Sequence, residues 1–475
     1  MPKRSALALF LVIASMGICF PASGASLKTV IGVNVLLNTD ITDAILVDLG
    51  RHGAVRDVVY DINAITLQAT SGELERIRAL PYVAAANPDA VRNGAPVDGV
   101  PVADFCTGMS TWNLDAINVT DPAAGRTIGY NGAGVYVAVL DTGLLDSWRL
   151  YFPQERIAEE YGVAFGGGGG NVGTVSSQPL KWEHDQDSHG THVTSTILGY
   201  SMNGVPVNGV APMATVIPVK VLNQNGSGWS SVIARGITYV ADLKSGPLAG
   251  SPVVINMSLG GPVLDAMEQA AVDYAIGKGV IVVASAGNEG EAGMGYPGAY
   301  APVISVAAAG WTGEWIGDAT WWYASDVPES SNPDYYYIAD FSSRPKAAQD
   351  LDVAAPGSWV VGPYQVNSGQ TSYYYLGGTS MASPHVAGIV ALMAQKNPVL
   401  TAGTAEEILE STAVPILGGC IGTNCWASDA AGAGLVDAAA ALEEIDTPAL
   451  KAGGRTGRKH ESKSEGILGS SRFRD

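Results

Sequence analysis

The stretch "GVYVAVLDTG" at residues 134–143 decides the fold class of this chain of 475 residues. It is almost continuously apolar and ends in Asp141, a threonine and a glycine. A strand that is buried on both faces of a parallel sheet has this composition, whereas a half-exposed strand alternates apolar and polar residues. The chain carries four further runs of this kind: "ATVIPVKVL" (214–222), "PVVINMSLG" (252–260), "GVIVVASAGN" (279–288) and "VISVAAAG" (303–310).

Helical stretches separate these runs, such as residues 231–243 and 266–277. Strands that alternate with helices favour an α/β fold in which a parallel sheet is flanked by helices on both faces. The functional residues of such sheets gather at the carboxyl ends of the strands. Because each apolar run ends in polar or glycine-rich residues, we expect the functional site at that edge of the sheet.

A smaller unit precedes this sheet. Residues 26–87 are predicted to form a strand, a helix, two strands, a helix and a last strand, the βαββαβ order of a small ferredoxin-like α+β domain. The next stretch, 88–107, is rich in proline, glycine and aspartate and indicates an exposed linker. The predicted division is a signal peptide (1–24), an amino-terminal unit (25–105), a main domain (106–446) and a disordered basic tail (447–475).

The first residues predict export. Lys3 and Arg4 precede an apolar stretch at 5–20 and the small residues "ASGA" at 22–25, which is the pattern of a secretory signal peptide. No later stretch reaches the roughly 18 continuous apolar residues of a membrane-spanning helix, so a secreted protein, extracellular or periplasmic, is expected. In an oxidising compartment, "GGCIGTNC" (418–425) predicts a small loop closed by Cys420 and Cys425, and Cys106 is then left over.

The charge balance limits the partners. A formal net charge of −19 argues against nucleic acid or an anionic membrane surface as a partner. No spacing of histidines and cysteines matches a zinc site. We expect a monomer that binds neither nucleic acid nor membrane.

Three polar positions stand where predicted elements begin or end. Asp141 follows an apolar strand, His189 opens the helical stretch "HGTHVTSTIL", and Ser380 opens another at "TSMASPHVAG". Each has an ordinary explanation: a turn residue, a stray histidine and a helix N-cap. Together they provide what acyl transfer needs, a nucleophile, a base and a carboxylate that orients the base. The order Asp…His…Ser is that of subtilisin and differs from the orders in chymotrypsin and the α/β-hydrolases.

The local sequences agree with that order. "VLDTG" (139–143), "HGTHV" (189–193) and "GTSMASPH" (378–385) resemble the three signatures of the subtilisin-like serine protease family, the subtilases or peptidase S8. The resemblance covers about 108–445. It implies that Ser380 is the nucleophile, His189 the general base and then acid, and Asp141 the orienting carboxylate. It also implies that Asn288, at the end of a strand, donates a hydrogen bond to the oxyanion.

The same resemblance indicates a substrate cleft. Two segments resemble edges that pair with an extended peptide through main-chain hydrogen bonds, although both could be ordinary turns: Gly226, Ser227 and Gly228, and Ser258, Leu259 and Gly260. The stretch 287–300 resembles a pocket wall of small residues and suggests a broad or apolar preference at P1, the residue before the scissile bond. Glu289 in that stretch leaves a basic P1 open.

The amino-terminal unit lies where subtilases carry an inhibitor I9-like prosegment. The resemblance therefore implies that the unit inhibits its own enzyme, with the linker lying in the cleft and cut there. An unrelated accessory domain is the alternative.

Two regions depart from the family pattern. The stretch 144–173 has no clear counterpart, and the family's calcium site is not evident. Three aspartates are candidate oxygen ligands for a structural calcium ion: Asp146, Asp185 and Asp187. The sequence gives no other support for such an ion. The chemistry itself is expected to need no cofactor. The Trp- and Tyr-rich stretch 311–340 resembles an insertion, either an exosite for protein substrates or a self-packed flap.

The sequence as a whole predicts a secreted serine endopeptidase that is made as a self-processing zymogen. A catalytically inactive protein that binds peptides with the same fold is the alternative, although all four catalytic positions are filled. An esterase or lipase is disfavoured by the order of the triad.

Overall fold

A computed structural model describes residues 29–102, 110–169, 174–328 and 332–445. The predicted signal peptide, Cys106 and the predicted tail lie outside the described residues. Within the described ranges, no helix is both long and apolar enough to cross a bilayer.

The amino-terminal unit has the predicted βαββαβ order. Its elements are β1 (Val30–Leu37), α1 (Asp43–Leu49), β2 (Gly53–Val59), β3 (Ala64–Thr70), α2 (Leu74–Arg78) and β4 (Val83–Pro88). The strands form an antiparallel sheet in the order β2–β3–β1–β4, the ferredoxin-like arrangement. Alternate residues of β1, such as Val33 and Val35, point into a small core that Leu49 of α1 and Ile77 of α2 complete.

The linker is not the exposed, irregular segment that its composition indicated. It contains β5 (Val91–Asn93) and β6 (Asp98–Pro101), and both pair with strands of the main domain. Arg92, in the middle of β5, is fully buried. The strands that pair with β5 and β6 lie far along the chain. The sequence of the linker therefore has no local periodicity that predicts β5 and β6.

The main domain contains the remaining elements, here given in chain order. They are α3 (Trp112–Asp115), β7 (Thr120–Asp121), β8 (Gly125–Arg126), β9 (Tyr136–Asp141), β10 (Val163–Gly166), β11 (Ser176–Ser177), α4 (His189–Leu198), β12 (Gly199–Met202), β13 (Val205–Asn208), β14 (Thr215–Lys220), β15 (Ser227–Trp229), α5 (Ser230–Ser245), β16 (Val253–Met257), α6 (Ala266–Gly277), β17 (Val280–Ser285), β18 (Ile304–Trp311), α7 (Trp321–Ala324), β19 (Tyr336–Ile338), β20 (Val353–Pro356), β21 (Val360–Pro363), β22 (Tyr373–Gly377), α8 (Thr379–Lys396), α9 (Ala402–Thr412), β23 (Gly419–Ile421), β24 (Asn424–Trp426) and α10 (Ala438–Glu444).

The main sheet confirms the predicted α/β class. Its order is β11–β10–β14–β9–β16–β17–β18–β19, with β20 also paired to β18. The pairs from β10 through β18, and the pair of β18 with β20, are parallel, whereas β11 and β19 add antiparallel edges that the sequence did not reveal.

Both faces of this sheet are covered by helices. Val137 and Val139 of β9 join one core with Val386 of α8, while Ala138 and Leu140 join a second core with residues of α5 and α6. Alternate residues of one strand thus face opposite cores, which is why the strand is apolar at every position.

The aromatic stretch packs mainly on the main domain. Trp321 and Trp322 are buried, and Trp321 stacks on Tyr375 with ring centroids 5.7 Å apart. Trp315 remains 45% exposed. This packing favours a self-packed flap over an exosite for protein substrates.

Cys420 and Cys425 face each other across the hairpin of β23 and β24. The structure joins them by a disulfide, with Cα atoms 4.0 Å apart. The bond therefore closes the small loop at 420–425.

Candidate active site

Two of the predicted catalytic side chains form a buried pair. Asp141 ends β9 and His189 begins α4, and neither is exposed to solvent. Nδ1 of His189 lies 2.8 Å from Oδ1 of Asp141, which also accepts from the backbone N–H of Thr142 at 2.7 Å. The ring is thereby oriented by its Nδ1, so the opposite nitrogen, Nε2, is the one left for a reacting group.

The electrostatics of His189 reflect this pairing. Burial by itself lowers the pKa of His189, but the Asp141 carboxylate, and then those of Asp187 and Asp185, outweigh burial and raise the pKa overall. Asp187 also accepts from the His189 backbone N–H at 3.3 Å. Asp185 is buried, and burial raises its pKa to about 7. These acids stabilise the charged imidazolium that a general base becomes.

Ser380 lies in the first turn of α8 and is only 3% exposed. Its Oγ donates to the backbone oxygen of Ser258 at 3.3 Å, and Oγ of Ser258 donates back to the Ser380 carbonyl at 2.8 Å. Among the described residues, Nε2 of His189 has no hydrogen-bond partner. The Ser380 hydroxyl therefore bonds to Ser258 and not to His189 in this structure.

Asn288 is held by the residue that precedes Ser380. Its Oδ1 accepts from the backbone N–H and the Oγ1 of Thr379, each at 2.9 Å. Because a backbone N–H can only donate, the bonded atom of the amide must be the oxygen. The Nδ2 group is then the part of Asn288 that can donate into the pocket that it lines together with Ser380.

The linker fills the predicted cleft as an added strand. β5 runs antiparallel to β15, with Asn93 opposite Ser227 and Arg92 opposite Gly228. On its other side, Asn93 exchanges two backbone hydrogen bonds with Gly260, both 2.9 Å long. All six predicted cleft residues thus lie beside one extended chain, although the side chain of Leu259 points into the core beneath it. This is strand addition, in which the backbone does the binding.

A third cleft segment was missed by the sequence reasoning. β6 pairs antiparallel with β22, and the N–H of Val97 donates to the carbonyl of Gly377 at 2.7 Å. The signal was available, since the strand "YYYLG" runs directly into the glycines before Ser380. Residues 91–101 therefore cross the candidate site on both sides of Ser380.

The register of the linker indicates which peptide bond lies next to Ser380. A Cβ on Gly94 would lie 3.4 Å from Cε1 of His189, and one on Gly378 would lie 3.7 Å from the Cα of Pro96. Ala95, between Gly94 and Pro96, borders a cavity of about 290 Å³ beside Ser380. The peptide bond presented to Ser380 is therefore Ala95–Pro96.

Comparison with known proteins agrees with this geometry. Residues 132–459 match the model of the "Subtilase family" of peptidases S8. The chain belongs to the subtilase family. The resemblance first inferred from three motifs is thus confirmed over most of the main domain.

Named relatives of this subtilase are proteases. Subtilisin E of Bacillus subtilis is 36% identical over 289 residues, which are 60% of this chain and 62% of that protein. A thermostable alkaline protease of Halalkalibacterium halodurans is 32% identical over 360 residues, 75% of this chain and 80% of that one. These relatives give the enzyme class, serine endopeptidase.

A solved structure supports the fold alone. Fervidolysin from Fervidobacterium pennivorans, described as a keratinolytic enzyme related to subtilisin, superposes with a TM-score of 0.61 at 24% identity. The match covers 88% of this subtilase and 61% of the fervidolysin chain. It therefore extends beyond the 60% that subtilisin E matches in sequence.

Among the described residues, the candidate calcium ligands Asp146, Asp185 and Asp187 do not form a group of three carboxylates close enough to share one ion. Within the described residues, the acidic side chains that could share an ion are Asp352, Glu406 and Glu410, whose carboxylate oxygens lie within 4.8 Å of one another. Asp146 instead lies 3.0 Å from His184, and Asp185 and Asp187 brace the loop before His189. The interpretation of Asp146, Asp185 and Asp187 as possible calcium ligands therefore stays a prediction.

Proposed function

We propose that this subtilase is a secreted serine endopeptidase, made as a zymogen that processes itself, and that Asp141, His189 and Ser380 are its triad. The observation that carries the proposal is the buried Asp141–His189 pair lying next to a chain segment that crosses Ser380 as a substrate would. The predicted signal peptide supports secretion.

The proposed reaction assigns one role to each of these side chains. Oγ of Ser380 attacks the substrate carbonyl while Nε2 of His189 takes its proton, and Asp141 stabilises the imidazolium. The oxyanion accepts from Nδ2 of Asn288 and from the Ser380 backbone N–H. His189 then passes the proton to the leaving amine, which departs and leaves an acyl-enzyme. Water, deprotonated by the same histidine, hydrolyses the ester and restores Ser380.

The cleft accounts for binding of proteins and peptides of varied sequence. The Gly226 carbonyl accepts from the N–H of Gly94, and Gly260 exchanges two hydrogen bonds with the backbone of Asn93. Backbone atoms of this kind are present in every substrate. The cavity at P1 is bordered by Ala95 of the linker and by Gly260, Gly287 and Glu289. The glycines fit a broad or apolar P1 preference, and the carboxylate of Glu289 leaves a basic P1 open.

The amino-terminal unit is the prosegment in this proposal. It docks on the helices that cover one face of the main sheet, where Arg235 of α5 makes two hydrogen bonds of 2.6 and 2.7 Å to Asp57 of β2. Its linker lies in the cleft and excludes substrate, which makes the unit an intramolecular inhibitor.

The inactive peptide-binding alternative has no observation in its favour, because the pair Asp141–His189 is intact. The test compares the full chain with its Ser380→Ala variant. We expect hydrolysis of a protein substrate, labelling of Ser380 by an organophosphonate, and loss of the prosegment only in the unmodified chain. The activity of the variant should fall by about a million-fold, the size of the loss in subtilisin itself and not worked from this structure.

Two outcomes would contradict the proposal. A folded, prosegment-free protein that neither cleaves peptides nor takes up the phosphonate would be a binding protein. Release of the prosegment from a pure Ser380→Ala preparation would exclude self-processing.

A further inference from the structure

The linker is a peptide already seated in the cleft, so its side chains show what the subsites hold. With Ala95 at P1, the preceding residues Gly94, Asn93 and Arg92 occupy P2, P3 and P4. Arg92 opposes Gly228 of β15 and is fully buried. The P4 subsite therefore encloses an arginine side chain completely.

A carboxylate of the main domain meets this arginine. Nε of Arg92 lies 3.1 Å from each carboxylate oxygen of Glu268 on α6, and Nη2 lies 2.5 Å from Oε2. Nη2 also donates to the carbonyl of Val263 at 2.9 Å. The guanidinium is thus held by two groups, the Glu268 carboxylate and the Val263 carbonyl, through a planar set of donors that a lysine ammonium cannot reproduce.

The backbone around the guanidinium leaves room for it. A Cβ on Gly261 would lie 3.1 Å from Nη1 of Arg92 and 2.4 Å from the carbonyl oxygen of Val91. Any residue other than glycine there would press on the bound chain. The glycine, the carbonyl of Val263 and the acid together form a site shaped for arginine.

Glu268 is unusual for a residue at the base of a cleft. It is 2% exposed, and burial raises its pKa while the charge of Arg92 opposes that rise. Among the described residues, Glu268 forms its ion pair with Arg92. Arg92 belongs to the linker and not to the main domain. When the linker leaves, Glu268 keeps its place on α6 and lacks a cation, which a substrate can supply.

We propose that Glu268 makes the P4 subsite of this enzyme select arginine, so that its substrates are extended peptides with arginine at the fourth position before the scissile bond. The inference rests on the proposed endopeptidase function and adds to it a substrate class. The selected group is recognised by charge and by the paired donors of Nε and Nη2.

The experiment uses the processed enzyme and peptides Xaa-Asn-Gly-Ala with a chromogenic amide leaving group. Arginine, lysine and methionine at Xaa give side chains of similar length that differ in charge and donor geometry. We expect kcat/KM for arginine to exceed that for methionine by at least about tenfold, because the peptide with methionine leaves the acid unpaired. Lysine should fall between them.

The matched variants are Glu268→Gln and Asp273→Asn. Both neutralise one acid of α6, but Asp273 is exposed and pairs with Tyr300 on the outer side of the helix. Glu268→Gln should lower the ratio of kcat/KM for the arginine peptide to that for the methionine peptide to within about threefold of one, whereas Asp273→Asn should leave this ratio unchanged.

The peptide series on the unmodified enzyme decides the question even where Glu268→Gln fails to fold. Equal or faster cleavage of the methionine peptide overturns the P4 inference and leaves the endopeptidase proposal standing. Absence of cleavage of every peptide, together with no phosphonate label on Ser380, overturns the proposed function and this inference with it.

Discussion

Asp89, the residue that follows β4, offers a sharp test of how the prosegment supports the main domain. Its carboxylate accepts from the backbone N–H and Oγ of Ser231, at 3.0 and 2.7 Å, and from the N–H of Gly169 at 2.8 Å. Helix α5, which begins at Ser230, has no side-chain cap from its own N-cap residue. Asp89 therefore caps α5 from another part of the chain.

The magnitude follows from these contacts. Hydrogen bonds to a charged group contribute about 1.5–3 kcal/mol each, but those of one carboxylate do not add fully. The carboxylate of Asp265 reduces this stabilisation. It shares Ser230 and Asn34 as hydrogen-bond partners with Asp89, so two like charges lie close together. We expect Asp89→Ala to lower the free energy of local unfolding of the first turn of α5 by about 3 kcal/mol. This change corresponds to roughly a hundredfold in the equilibrium between the closed and the open turn.

Hydrogen exchange measures that equilibrium locally. In the uncleaved Ser380→Ala chain, Asp89→Ala should lower the protection of amides in the first turn of α5 about a hundredfold. Amides in the last turn of the same helix, which ends at Ser245, serve as the internal control. Replacement of the exposed Asp61 by alanine is the matched control variant. Unchanged protection at the start of α5 would refute the capping role of Asp89.

Two further predictions concern the linker and the base. Pro96→Ala should speed cleavage of the bond after Ala95, because the proline nitrogen carries ring carbon Cδ where other residues carry hydrogen, which hinders its approach to the proton on His189. Mass spectrometry of the processed chains over time measures the rate, and an unchanged rate of cleavage after Ala95 would contradict the assigned register. Asp187→Asn should move the acidic limb of the kcat/KM profile down by roughly half a pH unit, since the charge of Asp187 raises the pKa of His189 and the base acts only when neutral. The shift should shrink in 1 M salt, and a limb that moves upward would exclude His189 as the titrating base.

The main sheet was predictable because its information is local. Each buried parallel strand, such as β9 or β17, is apolar along its whole length, and a polar residue marks its end. The sequence alone could assign three residues to one candidate site, because three short motifs occur in one order: Asp141, His189 and Ser380. The βαββαβ unit was likewise readable from its periodicity.

The remaining features depend on neighbours that are distant in sequence. β5 gains its strand conformation only by lying between β15 and Gly260, and Glu268 is an ordinary helix residue until Arg92 reaches it. Asp89 was read as part of an irregular linker because its partners lie on α5. The residue type shows which hydrogen bonds and ion pairs a side chain can form, but its partners are known only once the fold is known.

The double hydrogen bond from Thr379 to Asn288 has a mechanical consequence. Thr379 is covalently joined to Ser380, and Asn288 is tied to Thr379 through two bonds of 2.9 Å to a single oxygen. A tilt or slide of α8 would therefore carry Asn288 along with Ser380. The spacing between the Ser380 hydroxyl and the Asn288 amide can vary only by the small stretch of a hydrogen bond, even when thermal motion shifts the whole helix against the sheet.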